Sequence, residues 1–369
     1  MLLALLFLTV LLLAYANGAN DNFKATATVY GSSTLSYRQA LLLATVAQVL
    51  GSLASVVLAA TLLRVFGGKG LLPDATVANP AFLVAVGMGA ATTVLLATRL
   101  GMPISTTHAL IGGLLGAGLA LAPADLSWSG LLQRFLAPLL FSPFIAMALA
   151  AIIYPVAHLG RKRLGVEEET CLCVKGEMEP VLVTPDGSVV SQRTGLTLEM
   201  DTASECQRLY RGSLIGFSAC RIVDALHLLS SLSLGFARGL NDTPKVLGLL
   251  LAASWSGIPV KVSLLMVAMV MAFGGLLHSQ RIAQTLGKRI TELNRGQGLI
   301  ANLVGSGLVI GASSLGMPVS TTHVSTSAIF GIGCWTGRSR WLVVGEIVLA
   351  WLVTLPVAAG IAYLLAVIL

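Results

Sequence analysis

Gly18-Ala-Asn-Asp-Asn-Phe-Lys24 ends one apolar run of the chain, and Gly239-Leu-Asn-Asp-Thr-Pro-Lys245 interrupts another. A second motif follows each of them: Gly101-Met-Pro-Ile-Ser-Thr-Thr-His108 and Gly316-Met-Pro-Val-Ser-Thr-Thr-His323. Counted between their first glycines, the two motifs are 83 residues apart in the first copy and 77 in the second. Two unrelated strings recurring in the same order at nearly the same spacing mark an internal duplication.

Around these motifs the chain is overwhelmingly apolar. Of its 369 residues 56% are hydrophobic and only 11% charged, and mean hydropathy is +0.87. A soluble domain carries about 25% charged residues, so the composition predicts an all-α, polytopic protein of the lipid bilayer. The net charge of +7 comes without a basic patch interleaved with aromatics, which excludes nucleic acid as a partner. In a membrane protein such an excess belongs to cytoplasmic loops.

Apolar segments run over 1–30, 39–64, 81–99, 103–122, 131–158, 213–252, 260–280, 298–315, 318–335 and 341–369. A span needs about 20 residues, so the longer segments imply tilt or a break. Met1 to Ala16 lacks a positive leading region and runs straight into the first motif, and is expected to be a retained span. The polar stretch 160–212 separates a first repeat, 1–159, from a second, 213–369. Within it Val181 to Val190 reads as a short β-hairpin around Pro185-Asp186-Gly187. Cys171, Cys173, Cys206, Cys220 and Cys334 are expected as free thiols, because the Cys171–Cys173 spacing is too tight for the usual zinc pattern.

Each half holds five apolar segments. The number is odd, so the second half enters the membrane from the opposite side, which predicts two inverted-topology repeats with broken helices. The parity survives if the third and fourth segments form a re-entrant hairpin. With both termini outside, the inside connections hold twelve basic residues: Arg38, Arg161, Lys162, Arg163, Arg208, Arg211, Arg281, Lys288, Arg289, Arg295, Arg338 and Arg340. The outside ones hold four, Arg64, Lys69, Arg134 and Lys261. Positive charge stays inside, so the insert is expected to be cytoplasmic.

A central aspartate in a span costs about 2.5–3.5 kcal/mol to insert. Asp21 and Asp242 nevertheless stand inside apolar segments, beside Gly18 and Gly239, which are expected to weaken the helix, and beside Pro244 in the second copy. With Asn20 and Asn241 they offer hard oxygen ligands suited to Na⁺. The bland alternative is ion pairing with Lys24 and Lys245, one turn on. The Ser-Thr-Thr runs suit an anion: Pro103 and Pro318 fit the first turn of a helix, whose free N–H groups and hydroxyls favour oxyanions. Ser105, Thr106, Thr107, Ser320, Thr321 and Thr322 would then surround one tetrahedral anion, the alternative being helix glue. His108 and His323 are candidates for substrate contact or proton relay. Arg221, Asp224 and His227, and separately Glu346, read as interfacial polar groups.

The two motif pairs and the central hydrophilic loop resemble the inorganic phosphate transporter (PiT) family, the solute carrier 20 group. The resemblance covers both halves. It implies a plasma (inner) membrane symporter of inorganic phosphate with Na⁺, or with H⁺ in some members, and no other cofactor. Under it Asn20, Asp21, Asn241 and Asp242 serve cation and phosphate sites, and the Ser-Thr-Thr runs cradle phosphate. One departure stands out: three residues after the signature aspartate the family commonly has Asn, whereas this chain has Lys24 and Lys245. These lysines replace a cation, contact the anion, or snorkel to the interface. A homodimer is an open assembly. Sulfate is the competing substrate. An intramembrane enzyme acting on a phosphorylated lipid is disfavoured, because near-equal twin sites suit alternating access better than one nucleophile-base pair.

Overall fold

The computed structural model describes the chain except residues 67, 69, 168–169, 184–188, 203–215, 254–257 and 290–292, and leaves aside the side chains of 64, 172–183, 189–199, 216–218 and 288. By its contacts the chain divides into one unit of residues 1–154 with 227–369 and another of residues 155–226.

Among the described residues ten helices of 16 residues or more carry the fold, five on each side of the insert. They are α1 (Leu2–Asp21), α2 (Tyr37–Leu58), α3 (Pro80–Leu100), α4 (Thr106–Leu121), α5 (Ala137–Arg163), α6 (Ala219–Ala252), α7 (Val260–His278), α8 (Arg295–Ser314), α9 (Thr321–Thr336) and α10 (Trp341–Ile368). Eight of the described helical segments are long and apolar enough to cross a membrane; α4 and α9, with 16 residues each, are shorter. Leucines and phenylalanines such as Leu42, Phe141, Phe144, Phe273 and Leu352 lie exposed on the outer faces. This is the inverse of a soluble surface and the expected face toward hydrocarbon.

Local chemistry sets the helix ends, and it does so twice. Ser36 with Gln39 closes a capping box at the start of α2, and Asn294 with Gln297 another at the start of α8. Helix α3 ends at Gly101 (φ 72°). There the N–H groups of Gly101 and Met102 return to the Thr98 and Ala97 carbonyls. Gly316 (φ 70°) and Met317 close α8 onto Ser313 and Ala312 in the same way. Both turns need a left-handed residue, which glycine supplies without strain. The chain then runs extended to Ser105 or Ser320, whose side-chain oxygen accepts from the N–H of His108 or His323 and starts α4 or α9.

That geometry corrects one expectation. Pro103 and Pro318 do not stand in the first helical turn; they precede the N-caps Ser105 and Ser320. A serine side chain that can satisfy a first-turn donor outcompetes the proline as the starting signal.

Glycines explain how the halves interlock. A Cβ on Gly18 (α1) would collide with the Met271 carbonyl of α7, and one on Gly274 (α7) with Tyr15 of α1. Gly239 (α6) lies equally close to Gln48 of α2, and Gly51 (α2) to Phe236 of α6. Each half's first helix therefore packs backbone to backbone on the other half's second helix. Gly18 and Gly239 are close-packing residues here, contrary to their expected role as helix weakeners, because small residues let helices approach where lipid offers no hydrophobic drive. Other glycines repeat the crossing: Gly112 and Gly116 of α4 meet α10, and Gly331 of α9 meets α5.

The expected interruption at the signature motifs differs between the copies. After Asp21 the chain tightens into a 3₁₀ turn, Asn22–Thr26, before a short helix, Ala27–Gly31. In the second copy α6 runs on through Pro244, which withholds an N–H from the carbonyl four residues earlier.

In the smaller unit strands β1 (Thr170–Val183) and β2 (Val189–Thr202) pair antiparallel, with β3 (Gly216–Ser218) on the other edge of β1. The hairpin is longer than Val181 to Val190 suggested. Cross-strand pairing carries residues of low strand propensity, such as Lys175 and Gly176, along with it. The Pro185-Asp186-Gly187 turn lies outside the described residues, as do Cys206 and the side chain of Cys173; Cys334 is a free thiol, as expected.

Candidate functional site

The end of α1 with its 3₁₀ turn, the middle of α6, and the two extended strings before α4 and α9 converge on one polar cluster inside the larger unit. Asp21, Lys24, Asp242 and Lys245 are all buried, the lysines only 4% and 1% exposed. These lysines do not snorkel. Their ammonium groups point inward because each finds three oxygen acceptors there, and the bulk solvent offers no better.

The first ammonium, Lys24 Nζ, pairs with Asp21 Oδ1 and donates to the Ile104 carbonyl and Thr322 Oγ1, both at 2.6 Å. The second, Lys245 Nζ, reaches Asp242 Oδ1 at 3.2 Å and donates to the Val319 carbonyl and Thr107 Oγ1, both at 2.7 Å. The two cages are copies of each other. Each takes its carboxylate and carbonyl from its own half and its threonine hydroxyl from the other. The hydroxyls complete the crossing: Thr322 Oγ1 donates to the Ile104 carbonyl at 2.9 Å, and Thr107 Oγ1 to the Val319 carbonyl at 3.3 Å. The ion pairs of the bland alternative are thus present in both copies, each set within a wider hydrogen-bonded cage.

The asparagines brace these corners. Asn20 Nδ2 donates to Thr98 Oγ1 (2.9 Å) and the Met102 carbonyl (3.1 Å), while its Oδ1 accepts from the Ile104 N–H (3.2 Å). Asn241 donates to Asp242 Oδ1 (3.1 Å) and the Val319 carbonyl (3.2 Å) and accepts from Ser313 Oγ (3.1 Å). The outer oxygen of Asp21 accepts from Thr106 Oγ1 at 2.9 Å and from Asn17 Nδ2 at 3.0 Å. Asn17 Nδ2 also lies 3.4 Å from Asp242 Oδ2 and so links the two carboxylates.

Sequence reasoning missed Arg238. It is buried one turn before Asp242, its Nε 3.7 Å from Asp242 Oδ2. Its guanidinium donates to Asn17 Oδ1 at 2.8 Å and Asn22 Oδ1 at 3.0 Å. The signal was present: Arg238 lies three residues before Asn241, as Asn17 lies three before Asn20. The duplication places the two at matched positions, so this is where the symmetry of the cluster breaks. The cage carbonyls of Ile104 and Val319 carry no sequence signal either, since every residue has a backbone carbonyl and only the fold selects which ones face a cation.

His108 and His323 meet at the centre, ring centroids 4.4 Å apart, and His323 stacks on Trp351 at 3.9 Å. Trp351 Nε1 donates to the Pro103 carbonyl at 3.2 Å, tying α10 to the first motif. Ser105 and Ser320 use their oxygens as caps, and Thr321 is buried beside them. His227 is not interfacial: it is buried with Nε2 3.0 Å from Thr28 Oγ1, within a polar group that includes Asn302. Arg221 and Glu346 are exposed. Among the described residues no group of His, Cys, Asp and Glu is arranged to hold a metal ion.

Comparison with known proteins gives a consistent picture. A family model described as the phosphate transporter family matches residues 17–362. A probable low-affinity inorganic phosphate transporter of Mycobacterium tuberculosis (strain ATCC 25618 / H37Rv) is 28% identical over 368 residues, covering 97% of this chain and 75% of that protein. A putative phosphate permease of Thermococcus kodakarensis is 28% identical over 391 residues, covering 95% and 93%. A solved structure described as the sodium-dependent phosphate transporter superposes with a TM-score of 0.76 over 100% of this chain and 98% of that one, at 20% identity. At that identity the likeness is one of fold.

Proposed function

Because the chain belongs to the phosphate transporter family, we propose that it is a secondary carrier of inorganic phosphate, working by alternating access between two inverted repeats and coupled to a cation gradient. The observation that carries this reading is the crossed pair of ammonium cages. Each cage is closed by a hydroxyl from the opposite half, Thr322 on Lys24 and Thr107 on Lys245. A movement of one half against the other must open or close both, which is what a carrier that exposes one site to two sides needs.

Phosphate suits the chemistry. Three buried cations face two buried carboxylates, and the hydroxyls of Ser105, Thr106, Thr107, Ser320, Thr321 and Thr322 with the first-turn N–H groups of α4 and α9 are oxyanion donors. His108 and His323 sit where the two motifs meet and are within the same proposal as substrate or proton contacts. Coupling follows the resemblance, which leaves Na⁺ and H⁺ as the two ions; Asn20, Asp21, Asn241 and Asp242 are the oxygens such a cation would meet. The proposed orientation keeps both termini outside and the insert cytoplasmic.

The deciding experiment is uptake of radiolabelled phosphate and sulfate into proteoliposomes under imposed Na⁺ or H⁺ gradients. Phosphate accumulation against its gradient supports the reading. Accumulation of sulfate in preference to phosphate would replace the substrate and keep the fold, and release of phosphate from a phosphorylated lipid without uptake would replace the carrier by an enzyme.

A further inference from the structure

Asp21, Lys24, Arg238, Asp242 and Lys245 are all the buried aspartates, glutamates, lysines and arginines among the described residues, and they lie in one network. A buried ion pair has to recover its desolvation through good geometry and further hydrogen bonds. Here both lysines do so with a carboxylate, a backbone carbonyl and a threonine hydroxyl apiece. That is also the donor set by which a hard metal cation is held. The oxygens are therefore committed. A metal ion entering either cage would have to displace the ammonium from its carboxylate, and would otherwise meet it as a like charge at a few ångströms in a medium of low dielectric, where repulsion is strong.

We propose that Lys24 and Lys245 are the carrier's own tethered cations: each ammonium occupies the place at Asp21 or Asp242 that a free sodium ion would take, so that transport runs without sodium at either carboxylate. The proposal rests on the transport reading above and narrows its coupling ion. It uses the crossed geometry directly. Lys24 is held by a hydroxyl from the second half and Lys245 by one from the first, so a fixed ammonium can sense the separation of the halves as a bound cation would. It also accounts for the sum of charges. With both carboxylates matched by lysines, Arg238 remains as one unmatched positive charge, 3.0 Å or less from two asparagine oxygens and facing Asp242. A single monovalent oxyanion completes neutrality.

The test measures ³²P-phosphate uptake by the purified full chain in liposomes, with choline replacing sodium on both sides under a fixed pH gradient, and ²²Na⁺ uptake in parallel. The wild type is expected to keep its rate within about twofold when sodium is removed, and to carry no ²²Na⁺ with phosphate. Lys24→Asn and Lys245→Asn are expected to lose sodium-free uptake at least tenfold, to recover it several-fold in sodium, and to begin carrying ²²Na⁺. A wild type that loses uptake more than tenfold without sodium, or that accumulates ²²Na⁺ in step with phosphate, overturns the proposal, and this holds even where the variants fail to insert. Absence of phosphate uptake under every ion condition would instead count against the transport reading. In that case ²²Na⁺ binding to the purified protein still decides: saturable binding that disappears in Asp21→Asn or Asp242→Asn overturns the tethered-cation proposal, and no saturable binding supports it.

Discussion

Replacing Thr322 by Val keeps the branched shape of the side chain and deletes one oxygen. That oxygen accepts from Lys24 Nζ at 2.6 Å and donates to the Ile104 carbonyl at 2.9 Å. The carbonyl keeps the ammonium as a donor, so the principal loss falls on the buried ammonium, left with two of its three acceptors. A hydrogen bond to a charged group contributes about 1.5–3 kcal/mol, and each 1.4 kcal/mol is tenfold in an equilibrium constant. If the cage geometry is needed in the substrate-bound state, apparent phosphate affinity should fall by roughly 10–100-fold. The mirror variant, Thr107→Val, removes the matching acceptor from Lys245 at 2.7 Å and should act to a similar extent. Concentration-dependent uptake in proteoliposomes, with thermal stability of the purified protein as the control for folding, reads both. A double-mutant cycle with Lys24→Met sharpens the comparison: once the ammonium is gone the Ile104 carbonyl depends on the Thr322 hydroxyl as its donor, so the two substitutions should be non-additive by at least about 0.5 kcal/mol. Wild-type affinity in both valine variants, or full additivity in the cycle, would refute the crossed-cage reasoning.

Arg238→Ala should abolish uptake and lower the thermal midpoint, because it strands the Asn17 and Asn22 oxygens and leaves Asp242 without its guanidinium; removing one member of a buried charge network costs about 3–5 kcal/mol. Arg238→Lys, which keeps the charge and loses the fork, should retain part of the stability, as followed by fluorescence-detected melting. Gly18→Ala and Gly239→Ala should fail to yield a monodisperse protein on size-exclusion chromatography, since each added Cβ meets a backbone carbonyl of the opposite half, whereas Gly307→Ala, with open space around it, should behave as wild type. For orientation, a chain freed of its five cysteines and carrying Asp125→Cys should react with a membrane-impermeant maleimide from outside, and one carrying Ser33→Cys should not. The opposite pattern would reverse the proposed topology.

The duplication, the number of long apolar helices and the set of polar residues in the spans were all legible in the chain as written. Each is a local property: a run of apolar residues long enough to span, a serine or asparagine three residues before a first-turn N–H, a glycine where the backbone must turn left-handed. The same locality marks what the chain by itself leaves open. Pro103 reads as a helix start because its ring suits a first turn, yet Ser105 two residues on offers a cap, and only the folded chain chooses between them. Gly18 reads in isolation as a weak point of a helix; it is a contact point because α7 lies against it, 253 residues further on at Met271. Lys24 could snorkel, pair or bind an anion as far as its neighbours reveal. The tertiary structure buries it, because acceptors on residues 80 and 298 positions away in the chain converge on its ammonium. Arg238 entered the site in the same way, through Asn17 and Asn22 of the other half. A sequence states which groups must leave water, but which of them then satisfy one another is set by the crossing of the two halves, since hydrogen bonds and ion pairs act at contact and contact is a property of the fold.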